Sequence, residues 1–382
     1  MRFNPSLAET REVAARERLL ALVRRNDLSG LSVVDIGCGD GTASLAAVRC
    51  GAGRVISFDT DPAAISATRA LHAGAGSPPS WTVETGSILD ERTIAALGRF
   101  DIVHAWGVLH HTDNPPRALA NMAALVAPTG RLCLAFYSRD TFVDPPPEHW
   151  LGIKRRYHQA PGAIRWGLEA AGLWWFLRNR RIAQLPEVKA MMADYRNGRG
   201  GTMISDFHHW LCGWPMTILD TAEMAALAVN RAGLDLVGAR TGEAMTETVF
   251  VRQGMAEALG YRSIPLAHLP AGQAVKVLSG LDQIERGRPL YIFGTARGAD
   301  LLIEALRETP DLDLGGFIDI ERDDTKRGFR IHRIDQFVTR FPPETPVLLS
   351  NRYVLENGRR LLEAGFRTLY NGHPLVMRLA SR

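Results

Sequence analysis

From residue 31 to about residue 137, short runs of β-branched and other apolar residues alternate with longer stretches of helical character. The apolar runs predict five strands, at LSVVDIG, RVISFDTD, SWTVETGS, FDIVHAW and RLCLAFYS. The helix after the second strand is predicted to begin at Asp61-Pro62, where proline occupies a first-turn position. Because strands and helices alternate, the pattern indicates a parallel, doubly wound sheet.

The alternation stops after Arg139. Residues 140–219 begin with a proline-rich stretch and continue as a helical, basic segment that is rich in tryptophan. A helix at DTAEMAALAVNRAG and strands at LDLVGARTG and ETVFVRQ follow, and we interpret these three as completing the first sheet. Residues 31–139 and 220–253 then form one domain, residues 140–219 are a helical insertion or cap, and residues 1–30 are an N-terminal helix.

A second α/β unit is predicted at 281–382. It contains strand, glycine turn and helix in PLYIFGTARGADLLIEALRE, and its alternation continues through TPVLLS and FRTLYNG. Residues 254–280 are interpreted as a linker helix between the two domains.

Composition restricts the class of protein. Hydrophobic residues make up 46% of the chain and charged residues 23%, and no uncharged apolar segment approaches eighteen residues, so no membrane span is predicted. The charged N-terminus is typical of an amphipathic helix rather than a signal peptide. The four cysteines are scattered without a C-x-x-C pair, which favours a reducing, cytoplasmic location and argues against a structural zinc site. A net charge of +4 suits anionic small molecules at least as well as nucleic acid.

The first glycine turn, VVDIGCGDGTASLAA, departs from the G-x-G-x-x-G fingerprint of nicotinamide-binding domains. Its glycines, Gly37, Gly39 and Gly41, have G-x-G-x-G spacing, and Asp35 precedes them at the end of the strand. A carboxylate at that place suits a ligand with an ammonium group rather than a diphosphate. Asp59 closes the next strand, where an acidic side chain can accept both hydroxyls of a ribose. Ribose joined to an amino acid describes S-adenosylmethionine.

With these motifs the chain resembles class I S-adenosylmethionine-dependent methyltransferases, in the group that includes ubiquinone-biosynthesis-type O-methyltransferases. The resemblance is strong from Leu31 to Tyr137 and weaker from Thr221 to Arg252. It implies an α/β fold with a doubly wound, seven-stranded Rossmann-like methyltransferase sheet, a helical insertion and a second, smaller α/β domain. It also implies S-adenosyl-L-methionine as the cofactor.

The same resemblance implies a set of cofactor-binding residues. The methionine moiety would be held by Asp35 and the backbone of Gly37, Cys38 and Gly39, and the ribose by Asp59. The adenine would lie against Ser87 and Ile88. The methyl-donor pocket would be lined by Ala105, Trp106 and Gly107, and the set also includes Gly41 and Thr60. An aspartate is more usual than serine at position 87 in the family.

Methyl transfer to a hydroxyl needs a positioned base, and two histidine pairs are candidates. His110 and His111 lie in GVLHHTDNPP, and related methyltransferases commonly have a Glu-His pair at that place. The insertion contains SDFHHWLCGWP, in which Asp206 and His209 could serve as a base or hold a metal, although without a third ligand cluster we expect no metal site. This stretch resembles a cap motif found in a subgroup of these methyltransferases.

Two further stretches leave alternatives open. The aromatic segment 163–181 could be a lid over a hydrophobic acceptor, a homodimer face or a helix on a membrane surface. The C-terminal unit resembles small Rossmann-like domains of nucleotide-sugar-modifying enzymes, with Asp319 at the place of a ribose contact. It could bind a nucleotide or provide structural support.

The leading functional hypothesis is methylation of a hydroxyl on a small molecule, with a phenol-, lipid- or sugar-type acceptor. N- or C-methylation of a sugar nucleotide or other metabolite is the alternative within the same class. A nucleic-acid methyltransferase would be expected to show a basic stripe or an RNA-binding module, and the sequence has HAWGVLHH after the fourth strand instead of an N/D-P-P-Y-type end. A non-catalytic, donor-binding scaffold is the third class.

Overall fold

A computed structural model describes residues 5–139, 147–179, 192, 203–241, 245–270 and 274–381. The first sheet has seven strands: β1 Ser32–Ile36, β2 Arg54–Asp59, β3 Trp81–Thr85, β4 Phe100–Trp106, β5 Val126–Phe136, β6 Leu234–Thr241 and β7 Thr246–Arg252. Their order is β3-β2-β1-β4-β5-β7-β6, and β7 is antiparallel to both of its neighbours. The predicted doubly wound, seven-stranded sheet is confirmed.

Helices cover this sheet and form the insertion. They are α1 Pro5–Val23, α2 Thr42–Arg49, α3 Pro62–Gly74, α4 Glu91–Leu97, α5 Pro115–Ala124, α6 Pro147–Gln159, α7 Gly162–Asn179, α8 Met203–Cys212 and α9 Thr221–Ala232. As the sequence predicts, Asp61 caps α3, and its carboxylate accepts a hydrogen bond from the backbone N–H of Ala63 at 2.9 Å.

The central strands are buried on both faces, because side chains alternate between the two faces of a sheet. Val34 packs in a core that includes the fully buried rings of Phe58, Phe100 and Phe136. Val33 packs in a second core, which Leu19 of α1 also enters. The carboxyl ends of β1, β2 and β4 are therefore fixed from both sides.

The insertion of helices α6–α8, here called the cap, leaves and rejoins the first domain at neighbouring points. The backbone N–H of Leu219 donates to the carbonyl of Tyr137 at 3.0 Å, and that of Arg139 donates to the carbonyl of Leu219 at 2.9 Å. The cap is thus anchored directly after β5, at the same sheet edge as the carboxyl end of β4.

The second domain contains another seven-stranded sheet, made of β8 Val275–Val277, β9 Leu290–Phe293, β10 Leu314–Asp319, β11 Thr325–Lys326, β12 Phe329–Arg333, β13 Val347–Leu349 and β14 Leu369–Asn371. The order is β11-β12-β10-β9-β13-β14-β8, parallel except for the β11–β12 hairpin. Its helices are α10 Arg297–Arg307, α11 Ile334–Arg340, α12 Val354–Glu363 and α13 His373–Ser381.

The segment 254–280 differs from the predicted linker helix. Its described residues, 254–270 and 274–280, contain two 3₁₀ turns, Glu257–Leu259 and Leu266–His268, and no α-helix. Pro265 and Pro270 interrupt helical hydrogen bonding, and β8 adds an edge strand to the second sheet by pairing with β14. The segment is therefore part of the second domain's framework as well as a connection.

The two domains share an interface. Leu355 of α12 is buried in the core of the first sheet, and the backbone N–H of Thr241 donates to Oε1 of Glu356 at 2.7 Å. Each helix within the described ranges falls short of the length and apolar character that crossing a bilayer requires.

Candidate active site

A cavity of about 300 Å³ lies at the carboxyl ends of β1, β2 and β4. It is lined by Ile36, Gly37, Phe58, Asp59, Thr60, Gly86, Ser87, Ile88, Leu89, Gly107, Val108, His111, Thr112 and Asp113. The chain order reverses between β1 and β4, since β1 has β2 on one side and β4 on the other. Open α/β sheets bind their ligands at such a switch point.

The glycine turn after β1 forms the floor of the cavity. The backbone N–H of Gly37 donates to the carbonyl of Phe58 at 2.8 Å, so the turn is tied to the end of β2. Gly37 has a φ of +65°, and a Cβ atom added there would lie 2.4 Å from Cγ2 of Val108. Only glycine satisfies both the left-handed backbone and this close approach.

Asp59 ends β2 with its carboxylate at the cavity. Its Oδ2 accepts a hydrogen bond from the backbone N–H of Gly39 at 3.1 Å, and its Oδ1 accepts one from that of Asp61 at 3.0 Å. These two bonds fix the carboxylate in one orientation while its remaining acceptor capacity is left for a ligand.

The wall opposite the glycine turn is the loop that follows β3. The hydroxyl oxygen of Ser87 accepts a hydrogen bond from the backbone N–H of Leu89 at 3.2 Å. The amide of Asn121 on α5 donates to the carbonyl of Ile88 at 2.7 Å and holds this loop against the domain. Ser87 and Ile88, predicted to contact adenine, both line the cavity.

Asp35 lies below the cavity rather than in its lining. Its Oδ2 accepts a hydrogen bond from the hydroxyl of Ser44 at 2.6 Å, and its Oδ1 lies 2.8 Å from Nδ1 of His104. The residue is 3% exposed. Each carboxylate oxygen thus takes part in a buried network, and burial separates Asp35 from Asp59, which lines the cavity.

Other predicted cofactor residues also lie outside the cavity lining; these are Cys38, Gly39, Gly41, Ala105 and Trp106. The guanidinium carbon of Arg18, on α1, lies 4.2 Å from the centre of the Trp106 ring. Burial raises the pKa of the Cys38 thiol to about 12, so this thiol stays protonated at neutral pH. Gly107 and Thr60, in contrast, line the cavity.

The two adjacent histidines have different environments. His110 is 1% exposed, and its Nδ1 accepts a hydrogen bond from the backbone N–H of Tyr137 at 3.2 Å. Burial lowers the pKa of His110 well below 6.5, and the neighbouring charges of His111 and Lys154 lower it further. His110 is therefore a neutral, buried residue behind the site.

His111 lines the cavity. Its Nδ1 lies 2.7 Å from the carbonyl oxygen of Pro215, which can only accept a hydrogen bond, so Nδ1 carries the proton. In the neutral ring Nε2 is then an acceptor. Burial lowers the pKa of His111, the hydrogen bond to Pro215 opposes that change, and the charge of Lys154 adds to it. A neutral imidazole with a fixed tautomer is suited to accept a proton at Nε2.

The cap contacts the cavity through residues 213–217. The backbone N–H of Thr217 donates to the carbonyl of His110 at 2.8 Å. A Cβ atom added to Gly213 would lie 2.8 Å from Cε1 and 3.0 Å from Nε2 of His111. The structure thus brings the cap segment that follows α8 against the histidine pair that follows β4.

Asp206 and His209 lie on α8, but their side chains are outside the described residues. Sequence reasoning missed Val108, Thr112 and Asp113, although they belong to the same GVLHHTD stretch as the histidines. It named Pro215 only as part of the cap motif, without a contact to His111, and it missed Lys154, which no local signal marks. In the part of the chain that the structure describes, no group of three or more acidic, histidine or cysteine side chains could hold a metal ion.

Comparisons with known proteins agree with this geometry. Residues 7–191 match the sequence profile described as a methyltransferase domain. A ubiquinone biosynthesis O-methyltransferase of Methylobacterium sp. (strain 4-46) is 35% identical over 139 residues, which are 36% of this chain and 54% of that protein. A ribosomal protein L11 methyltransferase of Dechloromonas aromatica (strain RCB) is 36% identical over 122 residues, 32% of this chain and 37% of that protein. The chain therefore spans about half or less of the length of these relatives.

Among solved structures, a magnesium protoporphyrin IX methyltransferase from Synechocystis PCC 6803 with bound SAH superposes with a TM-score of 0.39 and 14% identity, over 66% of this chain and 90% of that one. The profile match covers somewhat less than half of this chain and shows that this part is similar to a methyltransferase domain. The order of the first sheet and the cavity at its switch point fit a domain of that kind.

Proposed function

We propose that this protein methylates a hydroxyl group of a small molecule that binds between the donor cavity and the cap. The observation that carries the proposal is the geometry of His111: the residue lines the cavity, and its Nδ1 is hydrogen-bonded to the carbonyl of Pro215, which leaves Nε2 of the neutral ring as an acceptor. A hydroxyl is a weak nucleophile until a base accepts its proton, whereas a neutral amine needs no such base.

The residues around the cavity fit the cofactor. Asp59 would accept hydrogen bonds from the ribose hydroxyls, and the loop Gly86–Leu89 would enclose the adenine. Gly39 leaves open space, since a Cβ atom there would have no neighbour within 4 Å. The methionine end would then lie toward Gly37 and Gly107, near His111.

When bound, S-adenosylmethionine supplies an electrophilic methyl group. The protein's own residues position the acceptor hydroxyl, exclude water and take up its proton at Nε2 of His111. The lowered pKa of His111 keeps this nitrogen unprotonated at neutral pH. His110 does not take this role, because its ring is buried and its Nδ1 already accepts a hydrogen bond from Tyr137.

The acceptor class is argued from the cap rather than from the donor domain. Relatives whose names give a ubiquinone biosynthesis O-methyltransferase and a ribosomal protein methyltransferase match at nearly equal identity, 35% and 36%. Donor-domain similarity therefore does not select the acceptor. The cap carries aromatic side chains, with Trp150 and Trp210 packed edge to face at 5.3 Å between ring centres, and the carbonyl of Pro215 joins it to His111. A phenolic or other apolar alcohol fits such surroundings best.

The test has two steps. Calorimetry with S-adenosylmethionine, S-adenosylhomocysteine and NAD establishes the donor, and saturation with NAD but with neither sulfur ligand would contradict the proposal. Transfer of a labelled methyl group is then measured on panels of phenols, lipid alcohols, sugars, amines and sugar nucleotides. Labelled products confined to amines or carbon acids would replace O-methylation by the N- or C-methyl alternative. Salt-dependent RNA binding with labelled RNA would favour the nucleic-acid class.

A further inference from the structure

Lys154 of α6 is a buried lysine without an ionic partner among the described residues. Its exposure is 0%, and the only neighbouring titratable group that favours its charge is the thiol of Cys212. Burial lowers the pKa of Lys154 to about 8. Burying a lysine in this way is unfavourable unless its ammonium group is well hydrogen-bonded.

The ammonium group is used to hold the end of α8. Nζ donates hydrogen bonds to the carbonyl oxygens of Trp210 and, at 3.1 Å, Gly213. It also lies 4.4 Å from the centre of the Trp210 ring. The last carbonyls of a helix lack partners within the helix, and a cation is favoured at that end. Lys154 therefore fixes the segment that leaves α8.

That segment, residues 210–215, is the one that contacts His111. Gly213 packs against the imidazole ring, and the carbonyl of Pro215 accepts a hydrogen bond from Nδ1–H at 2.7 Å. Lys154 thus holds residues 210–213 of the segment, and two residues further on the segment presents the carbonyl of Pro215 to the ring.

We propose that Lys154 is a positioning residue for methyl transfer, which holds residues 210–215 so that the carbonyl of Pro215 keeps Nδ1 of His111 protonated and Nε2 free at the cavity. The catalytic part of this inference rests on the proposed function, whereas the structural part, the control of the tautomer, does not.

The positive charge of Lys154 favours the neutral form of the His111 ring, and its hydrogen bonds hold the segment that contacts this ring. It lowers the pKa of His111, after the larger effect of burial. Among the described residues, the other titratable groups near His111 include His110, which is neutral, Tyr137, and the cavity residues Asp59 and Asp113. Replacing the ammonium group by an uncharged one should therefore raise the pKa of His111 and loosen the bond that selects its tautomer.

A matched variant in the same cap distinguishes a positioning role of Lys154 from a purely structural role. Glu169 on α7 accepts hydrogen bonds from the hydroxyl of Tyr157 on α6 at 2.5 Å and pairs with Nδ1 of His208 on α8 at 3.0 Å. Glu169→Gln therefore weakens contacts among the three cap helices without touching residues 213–215. Lys154→Met removes the ammonium group with little change in volume.

The decisive measurement is the ¹⁵N spectrum of the His111 ring in the full-length protein labelled at histidine, assigned by the loss of signals in His111→Gln. In the wild type and in Glu169→Gln we expect Nδ1 protonated and Nε2 unprotonated. In Lys154→Met we expect a mixture of the two tautomers of His111. We also expect the acid limb of the pH profile of kcat to lie at a higher pH than in the wild type. With a confirmed acceptor, kcat should fall about 10- to 100-fold while donor Kd stays within about twofold.

Lys154→Arg keeps a cation with N–H donors, so it should partly restore both the ¹⁵N spectrum of His111 and kcat. This variant keeps the proposal testable if Lys154→Met does not fold. An unchanged His111 spectrum in a folded Lys154→Met would overturn the inference, as would equal losses of kcat in Lys154→Met and Glu169→Gln. If the spectra change as expected but the wild type methylates no hydroxyl, the proposed function fails and the positioning role in the structure stands.

Discussion

The two sheets carry similar glycine turns, and the similarity extends to the backbone. In the first sheet the N–H of Gly37, after β1, donates to the carbonyl of Phe58 on β2 at 2.8 Å. In the second, the N–H of Gly294, after β9, donates to the carbonyl of Ile318 on β10 at 2.9 Å. In each case an aspartate follows that carbonyl, Asp59 in the first sheet and Asp319 in the second.

The surroundings of the two aspartates differ. Asp59 faces a cavity and is held only by backbone N–H groups. Asp319 accepts a hydrogen bond from the hydroxyl of Thr295 at 2.6 Å, in addition to the backbone N–H groups of Glu321 and Arg322. The second carboxylate is thus engaged by a side chain of the turn as well as by backbone.

The close approach of the first glycine to the neighbouring chain is common to both turns. A Cβ atom on Gly37 would lie 2.4 Å from Cγ2 of Val108, which follows β4, and Cβ atoms on Gly294 and Gly298 would each lie 2.6 Å from Ser350, which follows β13. The first turn has open space at Gly39, where a Cβ atom would meet nothing within 4 Å. The hydrogen bonds of the two aspartates are therefore the clearer difference between the two sites.

The largest effect is expected at His111, in the stretch that follows β4; in the second sheet Asn351 follows β13, the strand that lies beside β9 as β4 lies beside β1. His111→Gln should lower turnover by about 10²- to 10⁴-fold, because it removes the proposed base, and should leave donor affinity nearly unchanged. Asn351→Ala is the control and should leave both quantities unaltered. Rates of methyl transfer and calorimetric Kd values check this, and unchanged turnover in folded His111→Gln would exclude the base.

Alanine at the two glycines tests the backbone comparison. Gly37→Ala forces a side chain into a left-handed backbone, with its Cβ 2.4 Å from Val108, and should destabilise the first domain by about 2–5 kcal/mol and weaken donor binding. Gly294→Ala, with a φ of +109°, should also lower stability but leave donor Kd unchanged. Denaturant melts and calorimetry measure both, and equal losses of donor affinity would contradict the assignment of one donor site.

The aspartate pair should show a smaller difference. Asp59→Ala removes charged hydrogen bonds to the ribose, worth about 1.5–3 kcal/mol, so donor affinity should fall about 10- to 100-fold. Asp319→Ala should leave donor affinity unchanged. An unaltered Kd in a well-folded Asp59→Ala would remove this residue from the donor site.

The smallest expected effect is on the pH dependence of stability, to which both domains contribute a buried histidine. Burial lowers the pKa of His110 and of His373, so the unfolded chain binds protons near pH 6.5 that the folded chain does not. The contribution of these neutral histidines to the free energy of unfolding is complete above about pH 6.5 and is lost as the pH falls below that value. Melting temperatures should therefore decline on the acid side, and less steeply in His110→Gln. An identical decline in that variant would show that His110 does not contribute.

Part of the cavity lining could be predicted from the sequence because it is local. Gly37, Asp59, Ser87 and Ile88 each lie at or just after the end of a predicted strand, and parallel strands bring their carboxyl ends to one edge. Asp35 shows the limit of this reasoning. Its position in the motif suggests a ligand contact, and its hydrogen bonds with Ser44 and His104 were not foreseen. Side-chain direction at a strand end depends on neighbours that are distant in sequence.

By itself, the sequence determined the two α/β units, the insertion after the fifth strand, the glycine turn and the two histidines. Hydrophobic periodicity and turn chemistry act over a few residues, so they can be read along the chain. The tertiary structure decided which histidine lines the cavity and which nitrogen of its ring is hydrogen-bonded to the cap. The hydrogen bonds of this region join His111 to Pro215, 104 residues away, and Lys154 to Gly213, 59 residues away. No local pattern encodes such contacts, because they exist only once the cap has packed on the sheet edge.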